Sequence, residues 1–171
     1  MREMTLDDLP FVHSMLSDPD VMRYYPRMLD RDASMAWIER QRARYADDGH
    51  GLWLLEERDS GTPVGQAGLV MQELGGFPQP RYAEVGWLLH PAFWKRGYAT
   101  EAATRIRRYA EHTLGYPEVI SLVRPENEPS QAVARRIGMH VIGETMFASL
   151  PHLVFGARRA QPPSAEPAPH E

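Results

Sequence analysis

One stretch, "YAEVGWLLHPAFWKRGYATEAATRIRRYAEHTLG" (residues 82–115), constrains the fold more than any other part of the chain. It opens with period-2 alternation, in which Ala83, Val85, Trp87 and Leu89 share one strand face and Glu84, Gly86 and Leu88 the other. Pro91 breaks the strand. After Lys95, Arg96 and Gly97 the period changes to i, i+3, i+4, i+7 through Ala99, Ala102, Ala103, Ile106, Tyr109, Ala110 and Leu114, a helix that stops at Gly115. A strand passing at once into a helix with one apolar stripe belongs in a layered α/β domain.

The junction carries its own chemistry. A helix N-terminus leaves about four amide donors unpaired and the equivalent of roughly half a positive charge. Gly97 and Ala99 leave little bulk over the turn, and Lys95 and Arg96 add charge. The amides of residues 96–100 therefore form a candidate cradle for a phosphate or pyrophosphate, the alternative being a surface turn with solvated cations. Neither GxxxxGK[ST] nor a GxGxxG after a first strand occurs, which removes the two commonest phosphate-loop folds.

Elsewhere, Thr5 with Asp8 reads as a capped helix start, with residues 2–4 the only strand candidate before it. "DPDVMRYY" predicts a second short helix and "DASMAWIERQRARYADDG" a third ending near Gly49. "LWLLEE", "VGQAGLVMQ" and "YAEVGWLLH" predict a three-stranded antiparallel meander. A strand "VISLV", a helix "PSQAVARRIG" and strands "HVIGE" and "HLVFGA" follow the long helix. The expected architecture is one α/β domain over residues 1–160, with a mixed, mainly antiparallel central sheet flanked by helices. Residues 161–171, "QPPSAEPAPHE", read as a disordered Pro-rich tail.

Composition excludes several classes. There is no Cys, hence no disulfide, thiol nucleophile or Cys-ligated metal, and the seven His show no metal-ligand spacing, so no metal is expected. The net charge is -4, and removing Glu166 and Glu171 of the tail leaves -2, which does not suggest a nucleic-acid surface. Residues 1–20 hold four aspartates and no continuous apolar run, so neither a secretory signal nor a membrane span is expected, and the cytoplasm is the default compartment.

The segments "TLDDLPFVHSMLSDPDVMRYYP", "AEVGWLLHPAFWKRGYATEA" and "PENEPSQAVARRIGM" together resemble the GNAT N-acetyltransferases, in particular the Rim-type branch that acetylates N-termini of ribosomal proteins. The resemblance runs from about Thr5 to Arg158. It implies the GNAT fold, acetyl-CoA as cosubstrate, and an amine acceptor, either a peptide or a small molecule, with a homodimer as a family option. It also implies that Lys95, Arg96, Gly97, Tyr98, Ala99 and Thr100 hold the coenzyme pyrophosphate. Leu88, Leu89 and His90 would follow the pantetheine arm where the strand splays from its neighbour, and Asn127 and Ser130 would flank the thiol. Trp94 stands where many members have Gln or Arg, and Ala134 where many carry a general-acid tyrosine.

Acetyl transfer needs a neutral amine, a donor to the thioester oxygen and a proton for the departing thiolate. Glu84, opposite the apolar strand face, is the candidate base, against the alternative of a solvated surface glutamate. A freed amide at Leu88 or Leu89 is the candidate oxygen donor. Ser130 is either the thiolate's donor or a helix cap. Arg135 either meets the coenzyme phosphates or lies on a solvated helix face. Tyr24, Tyr25 and Trp37 are candidates for the acceptor pocket, although aromatic residues at such spacing are more often core. The function expected is acetyl transfer to a primary amine, foremost a peptide N-terminus, by direct attack in a ternary complex. The alternatives are a polyamine or antibiotic acetyltransferase and a non-catalytic acyl-CoA sensor.

Overall fold

A computed structural model describes residues 1–159. The Pro-rich segment of residues 161–171 lies outside the described residues. Helices α1 (Leu9–Leu16) and α2 (Arg31–Asp47) precede strands β1 (Leu52–Glu56), β2 (Pro63–Glu73) and β3 (Arg81–Leu89). Then come α3 (Tyr98–His112), β4 (Glu118–Val123), α4 (Glu128–Arg136), β5 (His140–Phe147) and β6 (Leu150–Arg158). The strands form one six-stranded sheet in the order β1-β2-β3-β4-β6-β5, with β3 and β4 parallel and every other neighbouring pair antiparallel. The expected mixed, mainly antiparallel sheet is thus observed.

Each face is covered by a different helix pair. Ala102, Ala103, Ile106 and Ala110 of α3 and Val133 and Ala134 of α4 bury against Ala83, Val85, Leu89, Val119 and Phe155. Ile106 is 1% exposed, and burying such a side chain contributes about 1.5–3 kcal/mol. On the opposite face, Leu9, Val12, Leu16 and Ile38 of α1 and α2 pack with Met4 and Leu54. The alternation along β3 therefore sends Val85 and Leu89 toward α3 and Glu84 and Leu88 toward the α1–α2 side.

Local signals explain most boundaries. The Thr5 amide donates to Asp8 Oδ2 at 2.8 Å, as the capping pattern predicts. Asp30 caps α2 by accepting from the Ala33 amide at 2.8 Å. Residues 2–4 contribute a single antiparallel bridge, Arg2 with Leu54.

Two expectations are corrected. "DPDVMRYY" is a series of turns, because Asp18 Oδ1 accepts from the amides of Asp20 and Val21 at 2.8 and 3.0 Å and so competes with helical pairing. Val21 and Met22 still bury against α1 and α2. On α3, Tyr109 and Leu114 are exposed rather than part of the buried stripe: α3 ends at His112, before Leu114, and the Tyr109 ring meets Trp53 edge to face at its margin. Glu111 is buried instead, held by Arg107 Nε at 2.6 Å.

Candidate active site

The sheet opens between β3 and β4. The two strands pair at Ala83–Val119 and Glu84–Ile120, and beyond that point Ser121 Oγ donates to the Val85 carbonyl at 2.7 Å, a side chain standing in for a ladder bond. The direction of each β3 amide follows from alternation in an antiparallel ladder. The His90 amide donates to the Val64 carbonyl of β2, and the Leu69 amide donates to the Gly51 carbonyl rather than toward its partner Val85. Leu88 therefore faces β2, whereas Trp87 and Leu89 direct their amides into the gap. Of the two leucines expected to free an amide, Leu89 does and Leu88 does not. The Trp87 amide also points into the gap, which side-chain reasoning missed. The Leu89 carbonyl is held by Trp94 Nε1 at 2.9 Å.

A pocket occupies this gap, lined by β3, β4, the turns at residues 21–26 and the tip of the β5–β6 hairpin. Glu84 lies in its wall. Its carboxylate accepts from Gln72 Nε2 at 2.6 Å and from the Leu122 amide at 3.4 Å. Desolvation nevertheless dominates and pushes its pKa above the usual carboxylate range, against those two hydrogen bonds and the Arg44 charge. Glu84 is half-buried, with its carboxylate engaged by protein donors at the pocket wall. Tyr24 and Tyr25 also line the pocket. Tyr25 leaves 38% of its surface open, but its phenol end is enclosed. Desolvation, followed by the Glu84 charge, pushes its pKa up to about 12.

Trp37 is a correction. It is absent from the pocket lining and donates through Nε1 to Gln66 Oε1 at 3.0 Å inside the α1–α2 layer, where Gln66 is fully buried. Trp37→Phe is expected to cost about 1–3 kcal/mol of stability by leaving that acceptor unpaired, with turnover per folded molecule unchanged. Thermal unfolding and active-site-normalised rates check both parts.

On the other side of the gap, α3 begins directly after Gly97, whose φ of 87° lies in the left-handed region. Lys95 is also left-handed, at φ 60°. A Cβ built on Gly97 meets nothing within 4 Å among the described residues, and no side chain caps the Tyr98, Ala99 and Thr100 amides that open α3. Arg96 departs from expectation. Its Nη2 bonds Glu57 Oε1 at 3.1 Å and its guanidinium stacks on Phe93 and Tyr98, while the Tyr98 hydroxyl donates to the same Glu57 oxygen at 2.5 Å. The backbone amides that open α3 and the helix dipole are left without a side-chain cap among the described residues. His90 is a turn residue, its Nδ1 accepting from the Ala92 amide at 3.3 Å. Arg135 bonds Gln131 Oε1 at 3.0 Å and lies over the Phe155 ring, held to its own helix rather than to the turn.

The choice between cap and donor for Ser130 changes with the structure. Asn127 caps α4, its Oδ1 accepting from the Ser130 amide at 3.1 Å. The Ser130 hydroxyl lines the pocket and bonds to nothing among the described residues. Ser130→Ala is expected to lower kcat without raising the KM for acetyl-CoA and without loss of stability, whereas Asn127→Ala costs about 1 kcal/mol. Paired melting curves and steady-state kinetics separate the two. Ala134 is fully buried and presents no group to the pocket.

Sequence reasoning missed Arg124 and His152, which join the lining from β4's end and β6. Register explains their meeting. Val123 pairs with Leu153, so the next position of the ladder sets Arg124 opposite His152. Burial pulls the His152 pKa down and Arg124 adds to it, against the hydrogen bond to the Leu150 carbonyl, so the neutral imidazole is favoured.

Residues 1–140 match the family model described as the acetyltransferase (GNAT) domain. The chain is 31% identical over 126 residues to "Uncharacterized protein YkkB" of Bacillus subtilis (strain 168), covering 74% of this chain and 72% of that one. It is 29% identical over 140 residues to "Uncharacterized N-acetyltransferase YnaD" of the same organism, covering 81% and 77%. Among solved structures, the acetyltransferase from Agrobacterium tumefaciens str. C58 superposes with a TM-score of 0.76 at 29% identity, over 92% of this chain and 88% of that one.

Proposed function

The chain belongs to the GNAT acetyltransferase family, and on that premise we propose that it moves the acetyl group of acetyl-CoA to the primary amine of a peptide N-terminus by direct attack in a ternary complex. The observation that carries this reading is a desolvated carboxylate, Glu84, on one side of a gap in the sheet whose other side opens toward an uncovered helix N-terminus.

The residues present fit the coenzyme. The open space over Gly97 and the unpaired amides of Tyr98, Ala99 and Thr100 suit its pyrophosphate. The strand gap below Ser121 suits an extended arm. When bound, acetyl-CoA supplies the activated acyl group and a thiol leaving group. Glu84 takes the proton of the attacking amine, directly or through water. The Trp87 and Leu89 amides hold the carbonyl oxygen as it gains negative charge. Ser130 gives a proton to the departing sulfur, and Tyr25, kept protonated at neutral pH, is a second donor at the same wall.

The peptide end of the reading rests on the Rim-type motifs and on charge. Among the described residues, the pocket lining contains one carboxylate, Glu84, and one guanidinium, Arg124. A polyamine or an aminoglycoside, with several ammonium groups, calls for more acids than one. The test is coenzyme A release from acetyl-CoA with short peptides, spermidine and kanamycin as acceptors. Peptides are expected to give the highest kcat/KM. A polyamine or aminoglycoside exceeding every peptide overturns the acceptor assignment. Acetyl-CoA binding without release for any amine would make the protein a sensor.

A further inference from the structure

The acceptor end of the pocket contains a cation that the transfer chemistry does not use. Arg124 is largely buried, its side chain 16% exposed, and it lines the pocket with Glu84. Its Nε is buried and has no hydrogen-bond partner among the described residues. Its ionic partner is Glu126, at 3.3 Å, a side chain 62% exposed to solvent and hence a weak competitor for it. The facing His152 lines the same pocket and, neutral or cationic, supplies no negative charge to it. A desolvated guanidinium with spare donors favours an oxyanion over a neutral acceptor, and a carboxylate matches its planar fork with two parallel hydrogen bonds.

Register places Arg124 relative to the base. Ile120 sits opposite Glu84 in the parallel pair, and Arg124 lies four residues on, one past the end of β4, where it lines the same pocket. The offset of four residues is roughly 13 Å of strand, shortened by the long arginine side chain reaching into the pocket. An amine nitrogen at Glu84 and an anionic group at Arg124 are therefore separated by a short acceptor backbone.

Resting on the acetyl-transfer reading of this pocket, we propose that Arg124 selects acceptors in which a carboxylate lies a few bonds from the reacting amine. Two sources share this chemistry: a peptide whose first residue is Asp or Glu, and a free amino acid or dipeptide with its own terminal carboxylate.

The experiment uses the full chain saturated with coenzyme A, so that binding is read without turnover. Titration calorimetry compares two matched pairs: a tripeptide amide beginning with Glu against the same peptide beginning with Gln, and free alanyl-alanine against its C-terminal amide. The carboxylate member of at least one pair is expected to bind about tenfold tighter or more, and which pair shows it identifies the source. Arg124→Gln should abolish that preference, Arg124→Lys should retain part of it, and Glu126→Gln, which removes the competing surface partner, should increase it. Equal binding within both pairs in the wild type, or a preference that survives Arg124→Gln, overturns the proposal. Should Arg124→Gln fail to fold, an unchanged preference in Glu126→Gln together with no weakening in Arg124→Lys overturns it equally. Running the same acceptors with acetyl-CoA separates this from the reading beneath it. Preference without coenzyme A release would contradict acetyl transfer and leave the anion site standing, and release without preference would do the reverse.

Discussion

Glu84→Gln is expected to lower turnover ~10²-fold to ~10⁴-fold, the usual contribution of a positioned general base, while the KM for acetyl-CoA hardly changes. The loss should be largest near neutral pH and shrink as rising pH deprotonates the amine in solution. The wild-type profile should rise along an acid limb set above the ordinary carboxylate range, because burial raises the Glu84 pKa. The same shift has a stability consequence of opposite direction. A carboxyl whose pKa is raised on folding stabilises the fold in full below its unfolded-state pKa, and that contribution is lost as pH rises through the folded-state value. Activity is thus gained over the range in which Glu84 ceases to stabilise the fold. Gln does not ionise, so the stability of the variant relative to wild type should improve as pH rises across that window. Wild-type turnover in Glu84→Gln across the pH range would remove the base assignment.

Gly97→Val is expected to weaken acetyl-CoA binding by about 10²-fold or more. Two effects combine. The residue has φ 87°, where a β-branched side chain is strained, so part of the cost falls on the fold and on the start of α3. The rest comes from filling the open space at Gly97, beside the uncapped Tyr98, Ala99 and Thr100 amides. Gly97→Asn separates them, since Asn tolerates the left-handed region. The Asn variant should melt near wild type and still bind the coenzyme more weakly. Wild-type affinity in a folded Asn variant would mean that the turn is not the anion site.

Both residues were legible in the sequence because local rules govern them. Period-2 alternation placed Glu84 away from the apolar face of β3, and the period change after Gly97 marked the start of α3. The meander β1–β2–β3 followed from turn residues between alternating runs. Arg124 and His152 were not legible, because they meet only through the order β4-β6-β5, which no local signal in either strand encodes. Nor was the direction of the Trp87 amide, since ladder parity depends on how β2 pairs and not on side-chain identity. Trp37 was misplaced for a related reason. A tryptophan on a helix before the sheet suits a pocket or a layer equally until its partner is known, and here the partner is the buried Gln66. For Ser130, "NEPS" offered two cap residues, and the Pro129 that follows Glu128 in the first turn of α4 fits a start at Asn127.

The central claim is that amine and acetyl donor meet across the β3–β4 gap in one complex, with no acyl group passing through the protein. Initial rates of coenzyme A release, measured over a grid of acetyl-CoA and amine concentrations, test it most directly. Double-reciprocal lines in acetyl-CoA, one for each fixed amine concentration, are expected to intersect at a common point; a family of parallel lines, the pattern of a covalent acyl-protein stage, would contradict it.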